Sequence, residues 1–281
     1  MADSRLDNSA ASQCLVDGKP ADTLSVLDRG LSYGDGVFET MRVAKGRIAL
    51  LDYHLVRLRR GLGVLRMSAD LADVVAELGA VAEQLQNGVI KLTLTRGRGQ
   101  RGYAIPYPAR ATRICQSFAP VSYPPENARE GISLYPCETR LAVQPLLAGI
   151  KHLNRLEQVL ARSEWSEPTY AEGLVRDTQG NVVECTVSNL FLLHEDHWVT
   201  PDLQYCGVQG VMRDYLIDQM QSSGQRVEVR RVGVATLRES TEVFCCNSLF
   251  GVWPVTALGD ASWSIGPRTR QAQALAEQVI M

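Results

Sequence analysis

The pattern along the 281 residues predicts an α+β fold in two halves. Three observations carry this. Strand-like alternation and helical spacing interleave throughout, with hairpin turns joining several strands. A proline-containing stretch between Pro120 and Asn127, Val-Ser-Tyr-Pro-Pro-Glu, is the most linker-like part of the chain. Composition is that of an ordinary globular protein, with 45% hydrophobic and 21% charged residues, enough to build a core in each half. The expected organisation is a polar tail over 1–13, a smaller α/β domain over 14–119, an interdomain linker over 120–128 and a larger α/β domain over 129–281. The tail is expected to be disordered.

In order, Cys14 to Val16 reads as a short strand followed by a turn at Asp17-Gly18. Val37 to Val43 alternates, and Lys45-Gly46 turns it back into Ile48 to Leu51. Asp52 is the expected N-cap of a helix carrying Leu55, Leu58, Leu62 and Leu65. A second helix over about 71–86 ends at Asn87-Gly88. Val89 to Thr95 is a strand that runs into the arginine-glycine loop Arg96 to Gly102, and Ala111 to Phe118 is another strand. Beyond the linker, a helix is expected over about 153–165, with Leu153, Leu156, Leu160 and Trp165 available to one face. Ala171 to Val175 and Val182 to Leu193 are expected strands, joined at Gln179-Gly180-Asn181. A helix starts near Val211 and ends before Gly224, and Val227 to Val229 and Val243 to Cys246 close the series as strands. No internal repeat is present.

Several function classes are disfavoured at once. With 29 basic and 31 acidic side chains the net charge is −2, so no global field favours nucleic acid. No apolar run approaches the roughly 20 residues of a membrane-spanning helix, and the first residues hold no apolar secretory core. Seven scattered cysteines without a C-x-x-C pair point to reduced thiols in the cytoplasm. His194-x-x-His197 encloses Glu195-Asp196 and reads as a surface turn rather than a zinc site.

The chemistry-bearing candidates are few. Lys151, in Gly149-Ile150-Lys151-His152-Leu153-Asn154, has apolar neighbours. Such a lysine either snorkels to water or, when desolvated, loses charge and becomes a nucleophile toward carbonyls. Glu184 stands mid-strand on the face of Val182 and Thr186, where a carboxylate needs a cationic or hydrogen-bonding partner. Gly207-Val208-Gln209-Gly210-Val211-Met212-Arg213 leads into a helix, and Asn247-Ser248 ends a strand with small polar groups. Both suit phosphate, and both are also ordinary junctions. Arg57 can reach inward from its helix as a phosphate clamp, whereas Arg59 and Arg60 form a solvated face. The loop with Arg96, Arg101 and nearby Tyr103 suits a small dicarboxylate better than RNA.

The ordered set Tyr33-Gly34-Asp35-Gly36-Val37-Phe38-Glu39-Thr40, His54-x-x-Arg57-Leu58, Lys151, Glu184, Gly210-Val211-Met212-Arg213 and Asn247-Ser248 resembles the fold-type IV pyridoxal-phosphate enzymes over nearly the whole chain. That family includes the branched-chain and D-amino-acid aminotransferases and the aminodeoxychorismate lyases. The resemblance implies a two-domain fold with pyridoxal 5'-phosphate between the domains, the larger domain binding most of it. It implies Lys151 as the Schiff-base lysine and Glu184 as the partner of the pyridine nitrogen. Arg57, the amides of Val211 and Met212, and Ser248 would hold the phosphate, and Val208 would pack against the ring.

Within the family, the stretch 147–160 and the heptapeptide 207–213 are similar to the lyases. Where D-amino-acid transaminases carry a tyrosine and a histidine, this chain has Phe38 and Tyr103. The resemblance therefore implies conversion of 4-amino-4-deoxychorismate to 4-aminobenzoate and pyruvate, with branched-chain or D-amino-acid transamination as the alternative. Lys151 would act as the base and Thr40 would deliver a proton to the departing methylene. Arg101, Arg96, Tyr103 and Asn247 would contact the substrate, and Arg155 is a weaker candidate. A cytoplasmic homodimer with a small-molecule substrate, and neither nucleic acid nor membrane as partner, completes the expectation.

Overall fold

The computed structural model describes residues 13–280, so the expected polar tail lies outside the described residues except for Gln13, which opens the first strand. The chain forms two compact units. The first runs to Ser122 and also takes Lys151–Asn154, and the second comprises Tyr123–Ile150 and Arg155 onward.

The first unit is built on β1 (Gln13–Val16), β2 (Lys19–Pro20), β3 (Gly36–Ala44), β4 (Arg47–Ile48), β5 (Gly88–Thr95) and β6 (Thr112–Phe118). Its helices are α1 (Arg29–Tyr33), α2 (Leu51–Val64) and α3 (Leu71–Leu85). The six strands make one antiparallel sheet in the order β2-β1-β6-β5-β3-β4. Val37, Met41 and Val43 of β3 and Ile90, Leu92 and Leu94 of β5 share one face, as period-two alternation requires. On it pack Leu55, Leu58 and Leu62 of α2 and Val74, Leu78 and Val81 of α3. The other face of β3 carries Phe38, Thr40 and Arg42. Asp70 caps α3 by accepting from the amides of Ala72 and Asp73.

Two expected helix boundaries are corrected here. Asp52 does not cap α2: the preceding position is Leu50, at φ 55°, and Asp52 lies inside the first turn, where its charge meets the helix dipole. The second helix stops at Leu85, because Gln86 takes a left-handed φ of 60° and Gly88 already belongs to β5.

The second unit contains α4 (Pro125–Arg129), β7 (Ile132–Leu141), α5 (Leu156–Arg162), β8 (Tyr170–Asp177), β9 (Val182–Cys185), β10 (Asn189–His194), β11 (His197–Pro201) and α6 (Val211–Ser222). Then follow β12 (Val227–Arg230), α7 (Val234–Glu239), β13 (Glu242–Asn247), β14 (Gly251–Leu258), β15 (Ala261–Ser262) and α8 (Pro267–Ile280). Its mixed sheet runs β12-β11-β10-β13-β14-β7-β8-β9, with β15 added to β14. Both sheet faces are buried. Leu190, Leu192, Val243, Cys245 and Val255 form one core, while Phe191 stacks on Phe244 at 4.8 Å with Trp198 edge-on to Phe244.

Three expectations for this half change. The helix expected over 153–165 is only Leu156–Arg162, because residues 151–153 pair with the start of β3 in the first unit. Leu156 and Leu160 are exposed rather than packed, while Ala161 and Trp165 are buried. The single strand expected over 182–193 is broken, because Glu172 draws Thr186, Val187 and Ser188 into a turn between β9 and β10. The His194–His197 segment is a hairpin turn, with Glu195 and Asp196 both at positive φ and the two histidines paired across it. Among the described residues no group of side chains is arranged to hold a metal ion, and no helix is long and apolar enough to cross a membrane.

Candidate active site

The expected site residues fall into two groups, one in each unit. In the first unit, Lys151 is held by its own backbone. Its carbonyl accepts from the Phe38 amide at 2.9 Å, His152 bridges to Val37, and the Leu153 amide reaches the Gly36 carbonyl at 3.0 Å. The side chain lies over the open face of β3, with Nζ 4.5 Å from the Phe38 ring centroid. Thr40 follows Phe38 on that face, opposite Lys91 of β5, whose Nζ is 5.7 Å from the same ring. A lysine, an aromatic ring and a hydroxyl thus share one sheet face.

Arg57 does point inward, as expected, and it meets a carboxylate. Its Nε donates to Glu39 Oε1 at 2.8 Å and an Nη donates to Glu39 Oε2, which also accepts from His54 Nδ1 at 2.6 Å. The triad is closed, with Glu39 and His54 each 1% exposed and Arg57 7% exposed. Burial pushes the Glu39 carboxyl up, but the Arg57 guanidinium and His54 outweigh it and bring the pKa down to about 2. Burial lowers the His54 pKa, and the nearby cations Arg57 and Lys151 add to this against the pull of Glu39. His54 is therefore neutral near pH 7 and donates its Nδ1 proton to Glu39.

The arginine-glycine loop divides its arginines. Arg96 is corrected from a substrate ligand to a buried structural cation: it is 5% exposed, forks onto Asp35, and donates to the carbonyls of Leu65 and Arg66. Arg101 is exposed, and Tyr103 is 86% exposed with its ring 5.5 Å from Tyr33.

In the second unit, Glu184 is 5% exposed at the end of β9, and its Oε2 accepts from the Val208 amide at 2.8 Å. Asn189 grips the same residue from the other side, donating to the Val208 carbonyl at 2.9 Å. Gly149 pairs alongside through its amide to Gly207 and its carbonyl to Gln209. The segment 207–210 is shaped for close approach: Gly207 has φ +82°, and a Cβ on it would stand 2.8 Å from Val183. A Cβ on Gly210 would stand 2.1 Å from Asn189 Oδ1. The chain then enters α6, where no side chain caps the amides of the first turn.

Val211 and Met212 are buried at that start, and Arg213 ties α6 to β11 by donating to Thr200 Oγ1 and the Pro201 carbonyl. Asn189 is in register with Cys246, which brings Asn247 and Ser248 to the same end of the sheet. Asn247 holds that turn, accepting from the Leu249 and Phe250 amides and donating to the Val187 carbonyl. Arg155 lies within electrostatic reach of Glu184: burial disfavours its cation, and Glu184 and Glu157 favour it.

Sequence reasoning did not single out Glu39 or Asn189. Glu39 had a visible signal, because it occupies an apolar-face position between Val37 and Met41. Asn189 had none beyond its place after Ser188.

Comparison with known proteins places this geometry. The amino-transferase class IV family matches residues 36–258. The solved structure of 4-amino-4-deoxychorismate lyase from Pseudomonas aeruginosa superposes with a TM-score of 0.93 at 48% identity, covering 95% of this chain and all of that one. Aminodeoxychorismate lyase of Vibrio harveyi is 34% identical over 266 residues, 92% of this chain and 97% of its own. A putative branched-chain-amino-acid aminotransferase of Methanocaldococcus jannaschii is 30% identical over 246 residues, 85% of this chain and 84% of its own. By the span of the family match and these likenesses, the chain belongs to the amino-transferase class IV family.

Proposed function

We propose that this protein is a pyridoxal-phosphate-dependent lyase that converts 4-amino-4-deoxychorismate to 4-aminobenzoate and pyruvate, a step toward folate. The observation that carries the reading is the 48% identity to the Pseudomonas aeruginosa lyase across 95% of the chain.

The residues present fit the cofactor. A helix start with no side-chain cap leaves its first amides available to an anion such as phosphate. A buried carboxylate whose Oε2 already accepts one backbone amide is a fixed acceptor, as a partner for a ring nitrogen must be. The cofactor, when bound, supplies the sink for electrons released at the carbon that bears the substrate amine.

In this reading Lys151 would hold the cofactor, and its amine would take the proton from C4 of the substrate. Glu184 holds the proton at the ring nitrogen. The Val211 and Met212 amides, Arg57 and Ser248 hold the phosphate, with Glu39 fixing the Arg57 guanidinium. Val208 packs on the ring, its peptide clamped by Glu184 and Asn189. Thr40 delivers a proton to the methylene of the departing enolpyruvyl group, so the proton lost at C4 is balanced by one gained in pyruvate. Arg101 takes a substrate carboxylate, with Tyr103 and Asn247 beside the substrate.

The apolar side chains left on the surface support a homodimer. Val26 (78% exposed), Leu31 (66%) and Tyr107 (99%) of the first unit, and Leu146 and Leu156 of the second, are the kind of residues that a partner covers. Light scattering should give about twice the 30.9 kDa chain mass, and a mass of one chain would remove the homodimer reading. Seven free thiols, six of them buried, support a cytoplasmic location.

The deciding experiment incubates the pyridoxal-phosphate-loaded protein with fresh 4-amino-4-deoxychorismate and no keto acid. Equal yields of 4-aminobenzoate and pyruvate are expected, with Lys151→Ala slower by about 10²–10⁴-fold or more. Amino transfer between amino and keto acids, with neither product formed, would instead establish the aminotransferase reading.

A further inference from the structure

Arg101, the arginine assigned above to a substrate carboxylate, sits in a loop with glycines at 97, 99 and 102, two of them at positive φ. Such a segment has high backbone freedom, and an arginine on it binds well only if something else fixes the chain. That something is Arg29, the first residue of α1. Its side chain is 6% exposed, and all three of its nitrogens donate. Nε donates to Asp35 at 2.9 Å, Nη1 to the Gly102 carbonyl at 2.9 Å, and Nη2 points to the Tyr103 carbonyl at 3.4 Å.

The surrounding contacts all serve the same grip. The Arg29 amide donates to the Gly97 carbonyl, and the Gly99 amide donates to the Leu27 carbonyl. A Cβ on Gly99 would stand 2.8 Å from Arg29 Cδ, so the glycine lets the arginine stem lie against the loop. Tyr33 accepts from the Gly102 amide at 3.1 Å and lies under the Arg29 guanidinium, 4.8 Å from its ring centroid. Asp35 in turn is shared with Arg96 at the base of the loop.

We propose that Arg29 is a positioning residue for substrate recognition: by holding the two carbonyls that follow Arg101, its planar fork sets where the Arg101 guanidinium stands. A lysine keeps the charge beside Asp35 but cannot span two successive carbonyls. The inference rests on the reading that Arg101 binds the substrate.

The test compares wild type, Arg29→Gln, Arg29→Lys, Tyr33→Phe and Arg101→Ala as pyridoxal-phosphate-loaded enzymes. Both Arg29 variants should raise KM for 4-amino-4-deoxychorismate by about tenfold or more with kcat changed far less, the signature of lost binding shared by ground and transition states. Tyr33→Phe, which keeps the buried charges, should raise KM less and in the same direction. Limited trypsin digestion supplies a readout independent of turnover, with fragment masses reporting cleavage after Arg98 and Arg101. Cleavage there should be several-fold faster in both Arg29 variants. If Arg29→Lys restores both KM and trypsin resistance, Arg29 is only a counter-ion for Asp35 and the proposal falls. It falls also if trypsin cuts faster while KM is unchanged and Arg101→Ala raises KM. An unchanged KM in Arg101→Ala overturns the Arg101 assignment instead, and the trypsin comparison still decides whether Arg29 holds the loop.

Discussion

In the first unit the carboxylates Glu39 and Asp35 are each paired with arginine, whereas in the second the buried carboxylate Glu172 is held by hydroxyls and a backbone amide. Glu39 lies between Arg57 and His54, and Asp35 between Arg29 and Arg96. Burial acts to raise both carboxyls, and in each case the arginines outweigh it and the pKa falls. Glu172, in the second unit, accepts from the hydroxyls of Thr186 and Ser188 and the amide of Val187. There burial prevails over the hydrogen bonds and the pKa rises. The first arrangement depends on ionisation, and the second on where the chain places hydroxyls and amides. Two units of one chain should therefore respond differently to charge removal and to acid.

The sharpest way to break the comparison is Glu39→Gln. It leaves the Arg57 cation buried without a counter-charge, which should destabilise the first unit by about 3–5 kcal/mol in denaturant unfolding. A loss below about 1 kcal/mol would mean that the triad is not an ion pair in solution.

Acid titration comes next. The folded pKa of Glu39, about 2, lies below its ordinary 4.5, so its stabilising contribution is complete above about pH 4.5 and is lost as pH falls toward 2. The scale is on the order of 3 kcal/mol. His54, whose pKa is also lowered, adds a loss as pH falls below its ordinary 6.5. Glu172, with a raised pKa, works the other way: its penalty builds as pH rises above 4.5 and vanishes in acid.

All four tryptophans lie in the second unit, at 165, 198, 253 and 263. Amide exchange in α2 and β3 should therefore accelerate at a higher pH than the change in tryptophan emission. Coincident transitions would erase the contrast.

The smallest effect belongs to Glu172→Gln. The hydroxyls of Thr186 and Ser188 rotate to serve either an amide or a carboxylate, so the change should be within about 1 kcal/mol, read by the same tryptophan emission.

How far the chain could be read in advance varies with the kind of signal. The turn of the β3–β4 hairpin was legible because Val37 to Val43 alternates and Lys45-Gly46 supplies two left-handed residues, but the return strand expected over Ile48 to Leu51 is only Arg47–Ile48, since Leu51 opens α2. The start of α6 was legible from its glycines. By contrast β7 (Ile132–Leu141) carries a proline and a mixed burial pattern, and its pairing is parallel with β8 and β14, far away in sequence. No local periodicity announces such a strand. The shortness of α5 was equally hidden, since the pairing of 151–153 with β3 overrides the helical spacing.

The same division applies to the site. Residue type raised Lys151, Glu184 and the 207–213 segment as candidates, each beside an ordinary alternative, and only the resemblance of the ordered set implied roles for them. Sequence could also show that Arg57 faces inward. It could not show that Arg57 shares a buried carboxylate with His54, that Arg96 belongs to Asp35 while Arg101 stays exposed, or that Asn189 holds the Val208 peptide. The physical reason is that a side chain's period along an element depends only on its neighbours in sequence. The partner of a charge is decided by which distant segment folding brings within about 3 Å.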